Sequence, residues 1–425
     1  MNIFDQLLAD NQIPKFVRVR HEMDRGHIDD IEGAVAQAMQ REGTLDRIKP
    51  GDSVCITAGS RDVANIARVI RAICDQVKSV GAHPFIIPAM GSHAGAKAEG
   101  QRGIIEGYGV TEEAMGAPIR ASMDTEVIAH SKSGLEIHLD KFANAADFLI
   151  PVGRIKAHTD FRGEVESGIC KMLVIGMGKQ HGAYQCHKLG FKSMAANVKE
   201  FAGAIIEKKP NMFAIGLIEN AYHQTCRIEA IPAGRILAEE PPLLEYAKSR
   251  MAKVPFDQAD ILFVDETGKD ISGAGMDPNV TGRSPVLGIS RPFFQRIAVF
   301  DLTDKSHGNF GGLGSADVTT QRLYRKIDFE QTYPNGITAA EPLAVRLPAV
   351  MPSDRTAMQF ALRTATDCDW EKGPRIVWLK NTLSLSEFYI SEALIPDAEA
   401  LDNVTIVSEP MEVIFDEEGN VKELR

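Results

Sequence analysis

Short apolar runs alternate with segments of helical periodicity along this chain, and that alternation constrains the fold more than any other feature. Residues 53–57 (SVCIT) and 84–88 (PFIIP) have the length and composition of buried strands. Between them, from 63 to 77, apolar residues recur on one face of a helix. Strands separated by helices predict a parallel sheet covered by helices. We therefore predict the α/β class, with two α/β domains of parallel-sheet character.

The length of the chain predicts more than one domain. A chain of 425 residues is long enough for two or three domains, each with a core of its own. The strand-and-helix pattern pauses near Pro255 and resumes with ILFV at 261–264. We predict an N-terminal α/β domain at 1–255 and a C-terminal α/β domain at 256–399, with the active site in the cleft between them. The C-terminal tail, about 400–425, is a candidate to pack back on the first domain.

Composition and charge argue against several classes of function. The net charge of −11 and the pI near 5.6 do not suit nucleic-acid binding, because phosphate contacts need a basic surface. No apolar run approaches the length of a membrane span, and the N-terminus lacks the pattern of a secretory signal. Six scattered cysteines without a CxxC pair favour free thiols in a reducing cytoplasm. We expect a cytoplasmic enzyme that acts on a small molecule, without nucleic-acid or membrane partners.

Residues 154–187 are the richest in candidate chemistry. The stretch reads RIKAHTDFRGEVESGICKMLVIGMGKQHGAYQCH and combines three histidines, three lysines and five glycines. Histidine titrates near neutrality and is the commonest metal ligand. Lysine can bond a cofactor, and glycines let backbone N–H groups approach an anion. We interpret the stretch as an active site; the alternative is a glycine-rich loop with solvated charges.

The ends of the first two predicted strands supply further candidates, because ligands bind at the carboxyl ends of strands in parallel sheets. Arg61, in GSRD, could bind a carboxylate or phosphate through two hydrogen bonds, or simply begin a helix in a solvated ion pair. His93, in GSHAGA, could be functional or a loop histidine bonded to the backbone. No HExxH, CxxC or facial-triad spacing occurs, so spacing alone gives little support for a metal.

A second polar stretch lies at 265–283 and reads DETGKDISGAGMDPNVTGR. It is too polar for a core, and we expect it to form a second wall of the site. The stretch DKSHGNFGGLGSAD at 304–317 is a weaker candidate for phosphate contacts, and a plain flexible loop is the favoured interpretation there. The adjacent acids Glu239 and Glu240 suit a helix start better than acid–base chemistry.

The order and spacing of these motifs resemble the nickel-dependent lactate racemase family, of which this chain would be a divergent member. That family comprises racemases and epimerases of hydroxy acids that use a nickel-pincer nucleotide. The resemblance rests on Arg61 in AGSRD, His93 in PAMGSHAG, His158 in RIKAHT, Lys171 in SGICKMLVIG, and His187. It covers mainly the first 200 residues or so.

The resemblance implies a role for each of these five residues. Lys171 matches the lysine that tethers the cofactor, and His187 matches the histidine that completes the coordination of nickel. His93 and His158 match two general bases on opposite faces of the substrate, and Arg61 matches an arginine that fixes the substrate. The reaction would be a proton-coupled hydride transfer, in which a 2-hydroxy acid passes through a 2-keto acid and regains hydride on the other face.

The resemblance also bears on residues around this set. Gly168, Gly176 and Gly178 would let backbone donors surround the nucleotide phosphate, and cofactor-maturation proteins would be partners of the chain. The second domain lacks the tyrosine–glutamine–lysine pattern that helps to hold lactate. Lys269, in the stretch 265–283, is our candidate to bind the substrate carboxylate in its place.

One departure concerns the cofactor loop itself. The connection between His158 and Lys171 is a few residues longer than in the lactate enzymes, so the loop beside the cofactor differs. The expected substrate is a 2-hydroxy acid, and one larger or more polar than lactate is a candidate.

The residues themselves leave two other functions open. One is a hydrolase or lyase that uses a divalent metal held by some of the same histidines, and it predicts zinc or manganese instead of nickel. The other is a non-catalytic nucleotide-binding protein, which would bind nucleotide without turning over any hydroxy acid. Metal analysis and replacement of His93 and His158 discriminate among the three.

Overall fold

The chain folds into two compact units. The computed structural model describes residues 3–60, 63–284, 291–339 and 341–425. One unit is Asp24–Met251, and the other combines Met1–Met23 with Ala252–Arg425. Both units contain sheets with parallel strands and helices. The predicted α/β class is confirmed.

The two ends of the chain are placed differently from the prediction. Residues 1–23 belong to the unit that begins at Ala252, and not to the N-terminal domain. The reason is that strand Phe16–His21 pairs antiparallel with both Glu387–Ser391 and Val404–Ile406. The same pairing places the C-terminal tail in this unit, and not with the N-terminal domain as predicted. The predicted boundary near 255 lies close to the observed change of unit at 251–252.

The unit Asp24–Met251 is built on two short three-stranded sheets that follow each other across Pro151. The strand order of the first is His83–Pro88, Ser53–Ala58, Phe148–Ile150, all parallel. The strand order of the second is Val152–Arg154, Phe213–Glu219, Thr225–Pro232, of which the first two are parallel. Leu149 and Met212 form a parallel bridge that links the two sheets. A separate hairpin joins Thr125–His130 to Glu136–Asp140.

Hydrophobic cores lie on both faces of these strands. Cys55 enters one core, whereas its neighbours Val54 and Ile56 enter the other, as alternate side chains of a strand must. Burial on both faces explains why these strands read as continuous apolar runs in the sequence. The α-helices of the unit are Ile31–Ala38, Ile66–Ser79, His93–Ala96, Ala98–Gly107, Glu112–Met115, Lys141–Ala145, Ile169–Lys171, Lys179–His187, Phe191–Lys208 and Ile236–Arg250. The 3-10 helices are Leu45–Arg47 and Ala233–Arg235, and Met172–Gly176 is a π-helix.

The other unit contains an eight-stranded mixed sheet. Its strand order is Ala349–Met351, Val318–Thr320, Phe293–Leu302, Gln258–Thr267, Ile376–Leu379, Glu387–Ser391, Phe16–His21, Val404–Ile406. The first five strands are parallel, and the last three pair antiparallel. Its α-helices are Ile3–Leu8, Pro278–Thr281, Gln321–Arg325, Phe329–Ala339, Asp354–Thr364 and Ile395–Glu399. Its remaining elements are the 3-10 helices Asp304–Ser306, Leu313–Ser315, Pro342–Val345 and Glu392–Leu394, and the hairpin of Val413–Phe415 with Val421–Leu424.

No helix among the described residues is long and apolar enough to cross a membrane. All six cysteine thiols are free.

Candidate active site

Three of the predicted site segments follow strands of the unit Asp24–Met251. Strand Ser53–Ala58 leads to Ser60, strand His83–Pro88 leads to His93, and strand Val152–Arg154 leads to His158. Ser53–Ala58 is hydrogen-bonded in parallel to His83–Pro88 on one side and Phe148–Ile150 on the other. Because parallel strands end at the same edge, the segments of Ser60 and His93 emerge together, and Phe148–Ile150 continues through Pro151 into the strand that leads to His158.

The segment that carries Lys171 is helical. It begins with the helical turn Ile169–Lys171 and continues as the π-helix Met172–Gly176. π-helical turns occur frequently at functional sites. The Nζ of Lys171 lies 2.6 Å from Nε2 of His158, so the tether candidate and the base candidate are in direct contact.

The loops after the first two strands pack against this π-helix. A Cβ built on Gly59 would lie 3.3 Å from Met172, and one built on Gly91 would lie 3.2 Å from Ile175. Gly91 also adopts a positive φ of 61°, which favours glycine. These close approaches bring the loop of Ser60 and the loop of His93 beside the segment that carries Lys171.

His158 is a neutral imidazole in a cationic environment. Burial is the largest cause that brings the pKa of His158 well below its ordinary value, and the nearby charge of Lys171 is the next. Its ring also stacks on Phe161, with the ring centroids 4.2 Å apart. A neutral imidazole near pH 7 can accept a proton or bind a metal.

His187 ends the helix Lys179–His187 and is oriented to bind through one nitrogen. Its Nδ1 donates to the carbonyl oxygen of Ala183 at 2.7 Å, so Nε2 carries the lone pair. Such a hydrogen bond on the far ring nitrogen is the usual arrangement for a metal-binding histidine. Burial, and to a lesser extent the charge of Lys171, lowers the pKa of His187, which keeps the ring neutral.

His93 is exposed and begins the short helix His93–Ala96. Its Nδ1 is hydrogen-bonded to the hydroxyl of Ser60, which joins the ends of two adjacent strands. The fully buried amide of Gln101 donates to the carbonyl oxygen of Gly91 at 2.8 Å and to that of His93 at 3.3 Å. These bonds attach the loop of His93 to the loop of Ser60 and to the helix Ala98–Gly107.

The remaining predicted residues are placed as follows. Arg61 lies outside the described residues. Lys269 is in the other unit, where its Nζ donates to the carbonyl oxygen of Gly273 at 2.6 Å, and its role in substrate binding stays a prediction. In the same stretch Arg283 forms a salt bridge with Asp317 at 2.5 Å.

Two buried acids support the site, and sequence reasoning missed both. Glu166 is fully buried and accepts from the backbone N–H of His158 at 2.7 Å. Lys248, from the helix Ile236–Arg250, lies 3.0 Å from its other oxygen. Nothing in the local sequence indicates this role, because Lys248 is far away along the chain.

Glu240 is the second buried acid. It lies inside the helix Ile236–Arg250, and not at its start as we expected, and its side chain accepts from the backbone N–H of Cys170 at 2.8 Å. Glu239 does occupy the first turn, and it pairs with Arg41 at 2.7 Å. Glu240 therefore anchors the turn that ends in Lys171.

The three glycines predicted to cradle phosphate are all buried and closely approached by protein atoms. A Cβ on Gly168 would lie 2.0 Å from Glu240, one on Gly176 would lie 2.6 Å from Met172, and one on Gly178 would lie 2.1 Å from the carbonyl oxygen of Val174. Close packing by protein atoms is therefore enough to explain why glycine occupies each of these three positions. Their contact with a nucleotide phosphate stays a prediction.

Gly168→Ala is expected to lower the free energy of unfolding by about 1–3 kcal/mol, because the new methyl group overlaps Glu240 Oε1. The shift of the urea midpoint measures the effect. The matched control is Gly103→Ala in the helix Ala98–Gly107, where no described atom lies within 4 Å of the added Cβ. That control should leave stability unchanged or raise it by up to about 1 kcal/mol. Equal midpoints for the two variants would contradict the close contact at Gly168.

Comparisons with known proteins add one finding about the fold. No protein-family model matches the chain, and no curated protein matches it in sequence. Among solved structures it is similar to the lactate racemase apoprotein from Thermoanaerobacterium thermosaccharolyticum, with a TM-score of 0.53 and 17% identity over 86% of this chain and 93% of that chain. A protein from Thermotoga maritima aligns with a TM-score of 0.44 and 11% identity over 83% of this chain and 87% of that chain.

The chain therefore has a lactate-racemase-like fold. At this level of identity the likeness concerns the fold alone.

Proposed function

We propose that this protein is a racemase or epimerase of a 2-hydroxy acid that works with a nickel-pincer nucleotide tethered to Lys171. The observation that carries the proposal is the cluster of Lys171, His158 and His187 near the carboxyl edge of a parallel sheet. The lactate-racemase-like fold supports it. Cofactor-maturation proteins would then be partners of this chain.

The residues of the cluster suit such a cofactor. His187 presents the lone pair of Nε2, which is enough for one bond to nickel. Among the described residues, no group of three or more His, Cys, Asp or Glu side chains could hold a metal ion. A single imidazole therefore fits a metal whose other ligands come from the cofactor better than a metal held by the protein alone. Lys171 supplies an amine within the same cluster.

The residues of the chain would divide the chemistry as follows. When bound, the nucleotide supplies the hydride acceptor and the arms that hold nickel. His158 would take the hydroxyl proton of one enantiomer at Nε2, and His93 would take that of the other enantiomer on the opposite face. Arg61 and Lys269 would hold the substrate carboxylate by charge-assisted hydrogen bonds.

The base role of His158 requires a proton on its other nitrogen. For Nε2 to accept a proton, Nδ1 must carry one, and that proton needs an acceptor. Oδ2 of Asp160 lies 3.8 Å from Nδ1, which is too long for a hydrogen bond but close enough for a small rotation to form one. Asp160 would then orient His158 as a base in the loaded enzyme.

Nickel retention should depend on His187. After co-expression with cofactor-maturation proteins, the wild-type chain is expected to purify with a stoichiometric amount of nickel, and His187→Gln is expected to lose most of it. The matched control is His181→Gln, since His181 is exposed on the same helix. Elemental analysis measures the metal, and chiral chromatography of a panel of 2-hydroxy acids measures racemisation.

Other outcomes of these measurements would favour the alternatives. Zinc or manganese in place of nickel would favour a divalent-metal hydrolase or lyase. Tight nucleotide binding without turnover of any hydroxy acid would favour a non-catalytic protein. Equal nickel content in the His187→Gln and His181→Gln proteins would contradict the proposed ligand.

A further inference from the structure

The loop of His93, residues 89–97, has an unfavourable backbone conformation. Ala94 and Ala96 both have φ values of 54°, and Gly95 between them has a φ of 63°. Residues with a Cβ rarely adopt this left-handed region, and they stay in it only where the surrounding structure holds them. The position of the His93 imidazole therefore depends on the contacts that fix this loop.

One of these contacts is the side chain of Gln101, in the helix Ala98–Gly107 that follows the loop. The side chain is fully buried, and its Nε2 donates to the carbonyl oxygen of Gly91 at 2.8 Å and to that of His93 at 3.3 Å. A buried amide costs free energy unless it is hydrogen-bonded. Here the amide nitrogen makes two hydrogen bonds to the main chain of the loop.

Lys179 fixes the orientation of this amide. Its Nζ lies 3.5 Å from Oε1 of Gln101. It also lies 3.3 Å from Oδ2 of Asp140 and donates to the carbonyl oxygen of Pro88. An ammonium group has only donors and a main-chain carbonyl has only an acceptor, so the amide oxygen faces Lys179 and the amide nitrogen faces the loop. Both sides of the amide thus require the same orientation.

The helix Ala98–Gly107 also packs directly against the left-handed part of the loop. A Cβ built on Gly100 would lie 2.9 Å from Cβ of Ala94 and 3.1 Å from the carbonyl oxygen of Ala94. This steric contact prevents the loop from moving toward the helix. The hydrogen bonds of Gln101 prevent it from moving away.

We propose that Gln101 is a positioning residue for His93, with its amide oriented by Lys179. Lys179 begins the helix that ends in His187, so the same contacts join the loop of His93 to the segment of the proposed nickel ligand. They also keep Nδ1 of His93 within hydrogen-bond distance of the hydroxyl of Ser60. The proposal rests on the proposed function for its catalytic consequence alone, because the contacts themselves involve no substrate.

The first test is hydrogen exchange of the full-length chain produced without maturation proteins. Gln101→Met keeps a side chain of similar length and removes the amide. Peptides from residues 89–97 should exchange at least about tenfold faster in this variant, because two hydrogen bonds to the loop are lost. Peptides from the helix Ile66–Ser79 should be unchanged. Gln37→Met replaces an exposed glutamine of the helix Ile31–Ala38 and should change neither set.

Unchanged exchange of residues 89–97 in Gln101→Met would overturn the proposal. Equal acceleration of these peptides and of the helix Ile66–Ser79 would also overturn it, because the amide would then be a general core contact. If the variant fails to fold, NMR of the wild-type chain decides. Side-chain amide protons of Gln101 that exchange at least about tenfold more slowly than those of Gln37 support the proposal, and equal rates overturn it.

The second test separates positioning of His93 from general support of the site. In the proposed mechanism each base takes the hydroxyl proton of one enantiomer, so formation of the 2-keto acid can be followed for each enantiomer alone. In protein that carries the cofactor, Gln101→Met should slow this step by about tenfold or more for the enantiomer that His93→Gln affects. The step should be unchanged for the other enantiomer.

Rapid quenching and chemical trapping of the 2-keto acid measure both rates, which are divided by the fraction of chains that carry an adduct. Gln37→Met is again the control and should match the wild-type chain for both enantiomers. Equal slowing of the two enantiomers in Gln101→Met, or no slowing of either, would overturn the proposal.

Failure of this proposal is distinguishable from failure of the proposed function. Faster exchange of residues 89–97 in Gln101→Met, combined with no turnover of any 2-hydroxy acid by the wild-type chain, supports the positioning role and counts against the racemase. Unchanged exchange in the variant, combined with racemisation by the wild-type chain, does the reverse.

Discussion

Replacing His158 by glutamine should lower the rate of racemisation by about 10³-fold in protein that carries the cofactor. Glutamine keeps a polar side chain of similar length but cannot take and return a proton near neutral pH. His158 is suited to proton transfer because burial, and then neighbouring positive charges, hold its pKa well below the ordinary value. The rate is measured by chiral chromatography and divided by the fraction of chains that carry an adduct, since His158 also contacts Lys171.

Two further histidine variants serve as comparisons for His158→Gln. His93→Gln should cause a loss of similar size, because each base serves one face of the substrate. His181→Gln should leave the rate unchanged, since His181 is an exposed residue of the same segment. Full activity in both the His158 and the His93 variants would contradict the two-base mechanism.

Lys179→Met should lower the free energy of unfolding of the unit Asp24–Met251 by about 3–5 kcal/mol. Lys179 and Asp140 are both fully buried, with Nζ and Oδ2 3.3 Å apart. Oδ2 of Asp140 has no hydrogen-bond partner among the described residues, so charge holds this oxygen to Lys179. Removing Lys179 therefore leaves a buried carboxylate without its counter-charge, and also removes a donor to the carbonyl oxygen of Pro88.

The double variant Lys179→Met with Asp140→Asn tests whether the unpaired charge causes the loss of stability. It removes both charges, while the asparagine oxygen can still accept from the backbone N–H of Phe142, as Asp140 does at 2.8 Å. Its stability should exceed that of Lys179→Met alone. Lys188→Met, on an exposed lysine, should have no effect beyond about 0.5 kcal/mol. Hydrogen exchange of peptides from residues 136–143 reports the stability of this unit, and a double variant less stable than Lys179→Met would contradict the account.

The central strands could be predicted because both of their faces are buried. The apolar runs at 53–57 and 84–88 correspond to strands Ser53–Ala58 and His83–Pro88, each with buried side chains on both sides. Strand Phe16–His21 has alternating exposed residues and charged side chains, and its partners lie near the other end of the chain. Its pairing therefore leaves no local signal, and the domain assignment of residues 1–23 was wrong for that reason.

Only the chemically distinctive side chains of the candidate site could be identified from the sequence. His158, Lys171 and His187 stand out in the sequence as bases and amines among glycines. Their supporting acids do not, because Glu166 and Glu240 look like ordinary helix and loop acids until the helix Ile236–Arg250 packs against the segment. Lys179, one of the three lysines of the stretch 154–187, is part of a buried ion pair with Asp140.

The mass of the intact chain tests the central claim most directly. After co-expression with cofactor-maturation proteins, the wild-type chain should show a mass increase that peptide sequencing assigns to Lys171. The increase should be absent from Lys171→Arg and present in Lys188→Arg, whose lysine is exposed nearby. An unmodified wild-type chain, or an adduct on a different residue, would contradict the assignment of Lys171 as the tether.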